Sequence, residues 1–375
     1  MCGILGVSIP LLPYCKTIED NTPNFSGKVI IIGAGAAGMT AGHLLAQQNI
    51  EFEILEAKST YGGRMKINND FTDFPIPLGA EWLHTKFDVL KEITNNTDIE
   101  LEMKEYNPND SYGTWQNGVL SMDNLGESED KKFINSSWLD FYEEYVLPMI
   151  EQKITYNTPV TSIDYTEDKI IVNTPNKQYT ADKVILTAPL KMLQTGIIDF
   201  NPVFSNEKID AINTAKVWEG IKVFIEFSDN FYPTFTEFTI SPESDGQVAY
   251  YDAAYGQNTN KNILGLFAVG IPAQNYISLS DSDRIAYILN ELDTMFSNQA
   301  STAYIKHTTQ NWVDEPYIEG AYLTDHEDWK KVKKLGKSVA DKIYFAGEAY
   351  TDGEDWGSVH TAALAAKRAV NEIIY

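Results

Sequence analysis

One stretch near the start limits the fold more than any other. Lys28 to Ile32 (KVIII) is a short run of β-branched residues, the pattern of a buried parallel strand, and it leads directly into Gly33-Ala34-Gly35-Ala36-Ala37-Gly38. Met39 to Asn49 has helical composition without a breaker, and Glu51 to Leu55 (EFEIL) alternates as a second strand ending at Glu56. Each part has a physical use. Gly33 allows a tight turn, Gly35 lets a backbone approach a pyrophosphate, and Gly38 lets helix and strand pack closely. Glu56, 18 residues past Gly38, can accept both hydroxyls of a ribose. The helix start adds unpaired N–H groups and a positive dipole end. The arrangement predicts an α/β unit that binds a dinucleotide, with Gly33, Gly35, Ala37, Gly38 and Glu56 as candidate contacts.

The motifs that follow carry a resemblance. Tyr61-Gly62-Gly63-Arg64-Met65 comes next, and with the glycine loop and its acid it resembles the FAD-dependent amine oxidase superfamily. That group includes monoamine oxidases, polyamine oxidases, flavin-dependent lysine demethylases and L-amino-acid oxidases. The resemblance implies that Arg64 approaches the flavin's phosphates and that Gly63 allows backbone contact. Leu78-Gly79-Ala80-Glu81-Trp82-Leu83-His84 looks like the family's segment beside the flavin ring, its His most similar to polyamine oxidases. Thr158 to Ile163 resembles the strand whose valine, here Val160, meets the adenine. Val184 to Leu193 resembles the return strand and PL turn. Ile343 to Glu348 resembles the FAGE motif, whose Gly347 and Glu348 meet the cofactor, the acid at the ribityl chain. Gly357-Ser358-Val359-His360 precedes an alanine-rich helix, Thr361 to Ile374, whose N-terminus the family sets against the flavin's N1/O2 edge, where charge develops on reduction. The implied fold is α/β, a Rossmann-like FAD/NAD(P)-binding domain with an inserted mixed-sheet α+β substrate domain of amine oxidase type.

The cofactor motifs are discontinuous, which predicts a cofactor domain from 28–85, 154–198 and 332–375. A substrate domain is then expected from 86–153 and 199–331, with strands at Ile221 to Phe227 and Ile263 to Val269 and a helix near Asp281 to Phe296. Two segments there point to chemistry. In Gly220-Ile221-Lys222-Val223-Phe224, Lys222 and Phe224 share one strand face. The stretch through Tyr232 resembles the family's K-x-F segment, so Lys222 is expected to hold a water against flavin N5 and to assist oxygen by stabilising superoxide. The alternative is an edge-strand lysine reaching solvent. Trp312-Val313-Asp314-Glu315-Pro316-Tyr317 through Tyr322 resembles the W-x-x-(D/E)-P-Y-x-x-G-x-Y segment, with Trp312 near the flavin and Tyr322 as one wall of the substrate cage. Ser358 stands where monoamine oxidases carry the opposite aromatic wall, leaving the cage half open. Ala321 stands where they carry a flavin-linking cysteine. With no Cys beyond Cys15, the FAD is expected to be non-covalent. Thr361 replaces the family's usual glycine.

Composition narrows the partners. Fifty-three acidic residues against 29 basic ones leave a net charge of −24, and the arginines are Arg64, Arg284 and Arg368. Such a chain is a poor nucleic-acid binder, and its field concentrates cations, although the charge also serves solubility alone. No metal-ligand spacing appears, and no apolar run reaches the ~18 residues of a transmembrane helix. Residues 1–27 read as a signal-like segment and a linker. Ile4 to Tyr14 resembles the apolar core of an export signal, though no basic residues precede it, and export or an ordinary packed segment both remain open.

The resemblance implies an enzyme taking a small amine and O2. A hydride passes from the α-carbon of a neutral amine to flavin N5, the imine hydrolyses to an aldehyde, and reoxidation gives H2O2. Glu81 and His84 are expected to meet the second amino group of a polyamine, beside Tyr322 and Ser358. An L-amino-acid oxidase is the nearest alternative, but such enzymes usually clamp the carboxylate with Arg, and only Arg284 is left for that task. A flavin-dependent desaturase or protoporphyrinogen-type oxidase, and a non-catalytic FAD protein, share the cofactor motifs.

Overall fold

The KVIII run forms the centre of a five-stranded parallel sheet. A computed structural model describes residues 24–240, 245–324 and 329–375, so the signal-like segment lies outside the described residues. Strand β1 (Lys28–Ile32) is flanked by β2 (Glu51–Leu55) and by Lys183–Leu186, with Ile154–Thr155 and Ile343–Phe345 at the two edges, every pairing parallel. Val29, Ile30 and Ile31 are wholly buried because helices cover one face and a second sheet the other. Helix α1 (Ala36–Gln47) packs against the terminal helix Val359–Ile374. Ala36, Ala37 and Ala41 meet Ala362, Ala363 and Ala366 in one core, and small side chains there permit close approach of the two axes. Thr361 does not disturb the start of the terminal helix. Its hydroxyl accepts from the Ser358 amide at 3.1 Å and donates to the Ser358 carbonyl at 2.8 Å, closing the first turn.

The substrate half is built on a seven-stranded mixed sheet. Its spatial order is Tyr304–Asn311, Gly220–Phe227, Asn262–Gly270, Gly246–Asp252, Phe235–Phe238, Ser111–Gln116 and Val119–Asn124. Only Phe235–Phe238 against Ser111–Gln116 is parallel. Period-two alternation separates its faces. Ile221, Val223 and Ile225 pack with Leu264, Leu266 and the helix Asp281–Met295. Phe224, Tyr251 and Phe267 turn the other way, onto Phe71, Phe74, Ile76 and Leu78.

Domain borders follow packing rather than motif spacing. Helices Asp88–Thr94 and Trp138–Tyr145, expected in the substrate half, bury Leu90, Ile93, Trp138 and Phe141 in the same core as α1. Strand Asp199–Asn201 pairs with Ser162–Asp164, and Ala211 and Ile212 of helix Asn206–Thr214 join the core beneath the parallel sheet. Residues of 199–215 thus pack with the parallel-sheet half.

Candidate active site

Four parallel strands end at one cavity, as expected at the carboxyl edge of an open α/β sheet. The glycine loop follows β1, Glu56 follows β2, Thr187-Ala188-Pro189 follows the third strand, and Gly347-Glu348 follows the fourth; all line a space of about 650 Å³. The loop glycines do different work. A Cβ on Gly38 would stand 1.9 Å from the Gly33 carbonyl oxygen, so strand and helix could not meet as they do. A Cβ on Gly35 would find nothing nearer than the Gly63 Cα at 4.0 Å. Internal packing does not require Gly35; the bare backbone faces the cavity.

Around that gap the polar groups suit a dinucleotide. Glu56 is buried, which raises its carboxyl, while the Ala34 and Lys58 amides pull it back by donating to Oε2 at 2.6 Å and Oε1 at 2.8 Å. No acidic residue occupies the first turn of α1, so its N-terminal amides are open to an anion. Arg64 Nη1 donates to Glu348 Oε1 at 2.8 Å and to the Ala321 carbonyl at 2.5 Å. The second Glu348 oxygen accepts the Leu323 amide at 3.1 Å. Val160, Ser358 and Val359 complete this end of the cavity. Gly79 is pinned by its neighbours, since a Cβ there would lie 1.9 Å from the Arg64 carbonyl; the Ala80 amide donates to that same oxygen at 3.0 Å. Trp312 is buried, its indole N–H on the Leu78 carbonyl at 3.1 Å. These residues fit FAD: a bare-backbone approach, an acid beyond β2, and a cation beside an acid near the start of the last helix.

The other end is a face of the seven-stranded sheet. Lys222 lies on an interior strand, opposite Phe267 on one side and Gln310 on the other, which excludes the edge-lysine alternative. Its ammonium donates to Glu81 Oε2 at 2.8 Å and lies 4.9 Å from the Trp82 ring centre. Tyr251, held as the neutral phenol by burial and by the adjacent Glu81, donates to the same oxygen at 2.5 Å. Lys132 Nζ stands 3.1 Å from Oε1, a charge contact rather than an aligned hydrogen bond. Burial opposes ionisation of Glu81, but the two lysines outweigh it and hold the carboxyl below its usual range. Glu81 is therefore not available to a substrate amine as expected: both oxygens face inward, to Lys222, Tyr251 and Lys132. His84 is at the exposed rim, its Nδ1 2.8 Å from Asp130 Oδ1. Tyr322 lines the cavity with its ring 5.9 Å from Trp218, and burial followed by the nearby Glu348 raises its hydroxyl.

Two residues of the site were missed by sequence reasoning: Glu237 on the cavity lining, and Lys132 against Glu81. Glu237 shares a sheet face with Phe235, a period-two signal present in Phe235-Thr236-Glu237-Phe238. Its Oε1 accepts from Gln247 at 3.1 Å and its Oε2 from the Tyr112 hydroxyl, and no Lys, Arg or His among the described residues pairs with it. Lys132 left only a weak signal, a lysine flanking Phe133 in a short strand. Arg284 and Arg368, conversely, are spent on structure. Arg284 holds the Tyr276 and Leu279 carbonyls, and Arg368 those of Gly336, Phe345 and Tyr350. Among the described residues no cluster of His, Cys, Asp or Glu suits a metal ion, and no helix is long and apolar enough to cross a membrane.

Fold and site together define a Rossmann-type cofactor domain joined to a mixed-sheet substrate domain. Residues 31–96 match the NAD(P)-binding Rossmann-like domain, and residues 148–374, more than half of the chain, match flavin containing amine oxidoreductase. The chain belongs to the flavin-containing amine oxidoreductase family, in which FAD is the cofactor. It is 23% identical over 381 residues to the lysine-specific histone demethylase 1B of Mus musculus, covering 78% of this chain and 46% of that one. The chain thus spans about half the length of such curated relatives. Polyamine oxidase 2 of Arabidopsis thaliana is 34% identical over 70 residues, 19% of this chain and 14% of that one. Among solved structures, putrescine oxidase bound to putrescine superposes with a TM-score of 0.75 at 15% identity, over 93% of this chain and 99% of that one. Cyclohexylamine oxidase from Brevibacterium oxydans gives 0.76 at 14% identity, with the same coverage. At these identities the likeness establishes the fold.

Proposed function

We propose that this chain oxidises amines with non-covalently held FAD and that polyamines are its preferred substrates. The observation that carries the reading is a row of side chains across the substrate sheet. Lys222 stands opposite Phe267, Phe267 opposite Ala249, and Ala249 opposite Glu237, all on the cavity face. Three strand spacings separate the ends, roughly 14 Å between the Lys222 and Glu237 backbones. Tyr251, Phe235 and Tyr112 form the next row. An extended chain of methylenes suits the aromatic middle, and a distal ammonium suits the Glu237 carboxylate, which has no cation partner among the described residues.

When bound, FAD supplies the two-electron acceptor for the amine's α C–H bond and the route by which O2 is reduced. Gly35 and Gly63 would let its pyrophosphate approach the backbone, Glu56 would accept from the adenosine ribose, and Arg64, Glu348, Ser358 and Val359 would hold the flavin side. Ala321 occupies the family's linkage position, and no cysteine follows Cys15, which supports non-covalent binding. The Tyr322 ring orients the reacting carbon as one wall of the cage. The Lys222 ammonium stabilises negative charge as oxygen is reduced. Glu81, with both oxygens engaged, takes no proton from the substrate; the amine enters already neutral.

The test is anaerobic bleaching of the flavin spectrum by a panel of polyamines, monoamines and amino acids. Polyamines are expected to bleach it at the lowest concentrations. Glu237→Gln is expected to raise the concentration needed for a polyamine about tenfold, the worth of one charge-assisted hydrogen bond, and to leave a monoamine unaffected. Absence of bleaching by every amine would overturn the reading. Bleaching by amino acids alone would replace it with L-amino-acid oxidation, which the structural use of Arg284 and Arg368 disfavours.

A further inference from the structure

Lys132 is a buried charge with no part in the chemistry above. It lies on strand Lys131–Phe133, cross-strand from Trp82, and is 2% exposed. Its ammonium donates to the Ala253 carbonyl at 2.7 Å and sits 5.7 Å from the Tyr251 ring centre. It also reaches the Asp252 carbonyl at 3.4 Å and pairs with Glu81 Oε1, on the side of the carboxylate opposite Lys222. Two sealed lysines therefore share one sealed carboxylate at the wall of the cavity, with side-chain exposures of 3%, 4% and 3% for Lys132, Lys222 and Glu81.

The arrangement answers a problem that a single buried pair would have. Taken out of water, one lysine and one carboxylate can relieve their desolvation by passing the proton from nitrogen to oxygen, leaving two neutral groups. Lys222 would then carry no charge for the oxygen step. A second ammonium on the other oxygen opposes that route, because neutralising Glu81 would take from Lys132 its paired carboxylate and leave it only the buried Asp252. The Ala253 carbonyl fixes Lys132 in place, and Tyr251 occupies the remaining hydrogen-bond position on Oε2. We propose that Lys132 is a positioning residue: it holds Glu81 as an anion, and Glu81 in turn holds the Lys222 ammonium in the cavity wall. The inference rests on the amine-oxidation reading for its use, though not for its geometry.

The other charged and titratable groups around this trio are few. Tyr251 and Tyr106 are pushed upward, first by burial and then by Glu81, and remain neutral phenols; Tyr251 donates to Glu81, and Tyr106 accepts the Trp82 indole N–H at 2.8 Å. Burial raises Asp252, whose nearest relief is Lys132 itself. Gln310, beside Lys222 on the neighbouring strand, is uncharged. Lys222 is pushed down by burial and by Lys132, and supported by Glu81. Lys132 thus acts on Lys222 in two opposite ways, directly by repulsion and through Glu81 by attraction. The attraction through Glu81 prevails: without Lys132, Glu81 takes up a proton at higher pH, and Lys222, having lost its anion, gives up its own at lower pH.

The experiment is Lys132→Met, read in two ways. In the flavin-loaded protein, the high-pH limb of reoxidation by O2, where Lys222 loses its charge, is expected to move down by about one pH unit. In the flavin-free full chain, the Lys222 resonance of lysine-labelled protein, assigned by its loss in Lys222→Met, is expected to titrate at lower pH. Lys132→Arg should restore both. The double variant Glu81→Gln/Lys132→Met, which removes one charge of each sign, should be better folded and less impaired than the sum of its parts. A profile that falls in height without moving, a Lys222 resonance that is unshifted or moves to higher pH, or a double variant no better folded than Glu81→Gln overturns the proposal. If no amine bleaches the flavin, amine oxidation falls, and the titration in the flavin-free chain still decides the role of Lys132.

Discussion

Two cation–carboxylate pairs line the same cavity under opposite conditions. At the cofactor end Arg64 meets Glu348 with side-chain exposures of 26% and 9%; at the substrate end Lys222 meets Glu81 with 4% and 3%. A partly hydrated pair is held weakly and can turn toward a ligand at little cost. A sealed pair exists only because its partners compensate one another, and it cannot be broken without leaving a bare charge in a low dielectric. In the function proposed above, the first serves recognition of a bound molecule; the second belongs to the standing architecture of the wall.

The largest test of that contrast is Glu81→Ala. It strands Lys132 and Lys222 together, and urea unfolding should show a loss on the order of 3–5 kcal/mol. Glu348→Gln in the flavin-free protein should lose only about 1 kcal/mol, with its main effect a weaker FAD titration, on the order of tenfold. Equal losses of stability for the two would break the comparison. The glycine loop sharpens it at intermediate size. Gly38→Ala drives a Cβ against the Gly33 carbonyl and should cost about 1–3 kcal/mol even without FAD. Gly35→Ala meets open space, so stability should hold within about 0.5 kcal/mol while FAD affinity falls.

A pH-dependent effect is expected where the two halves are tied together. Glu315 pairs with Lys58 and, at 2.9 Å, with Lys66, and accepts from Gln310 at 3.0 Å. Burial raises its carboxyl, but these partners pull it further the other way, to about 2. A carboxyl depressed in the folded state stabilises above its unfolded pKa and loses that contribution as pH falls toward the folded value. Relative to Glu315→Gln, the native chain should gain about 1 kcal/mol above roughly pH 5, discounted for solvent screening, with the gap closing as pH falls toward 2. Thermal unfolding of both chains across that range measures it.

How much could be read in advance differs by region. The loop Gly33 to Gly38, the acid Glu56 and the helix after Ser358 were legible because each motif is contiguous and its geometry is local. Arg64 and Glu348 meet across 284 residues, yet each sits in a motif that points to the same ligand, so their meeting was implied. Glu81 was misread for the complementary reason. Its partners come from strands 51 and 141 residues away and from Tyr251, and none of those segments signals that it will converge on this carboxylate. Helix Asn206–Thr214 was assigned by its place in the chain to the half it does not pack in.

The amino-acid order alone therefore determined the cofactor unit and its class of ligand, because backbone turns, helix ends and strand periodicity are set by neighbours in sequence. Only the tertiary structure decided which charges are free and which are bound. It sealed Glu81 between two lysines, left Glu237 without a cation among the described residues, and committed Arg284 and Arg368 to carbonyls. The physical reason is that a side chain's charge is governed by what comes within a few ångströms of it, and in a sheet assembled from distant strands that company is chosen by register and packing, not by sequence distance.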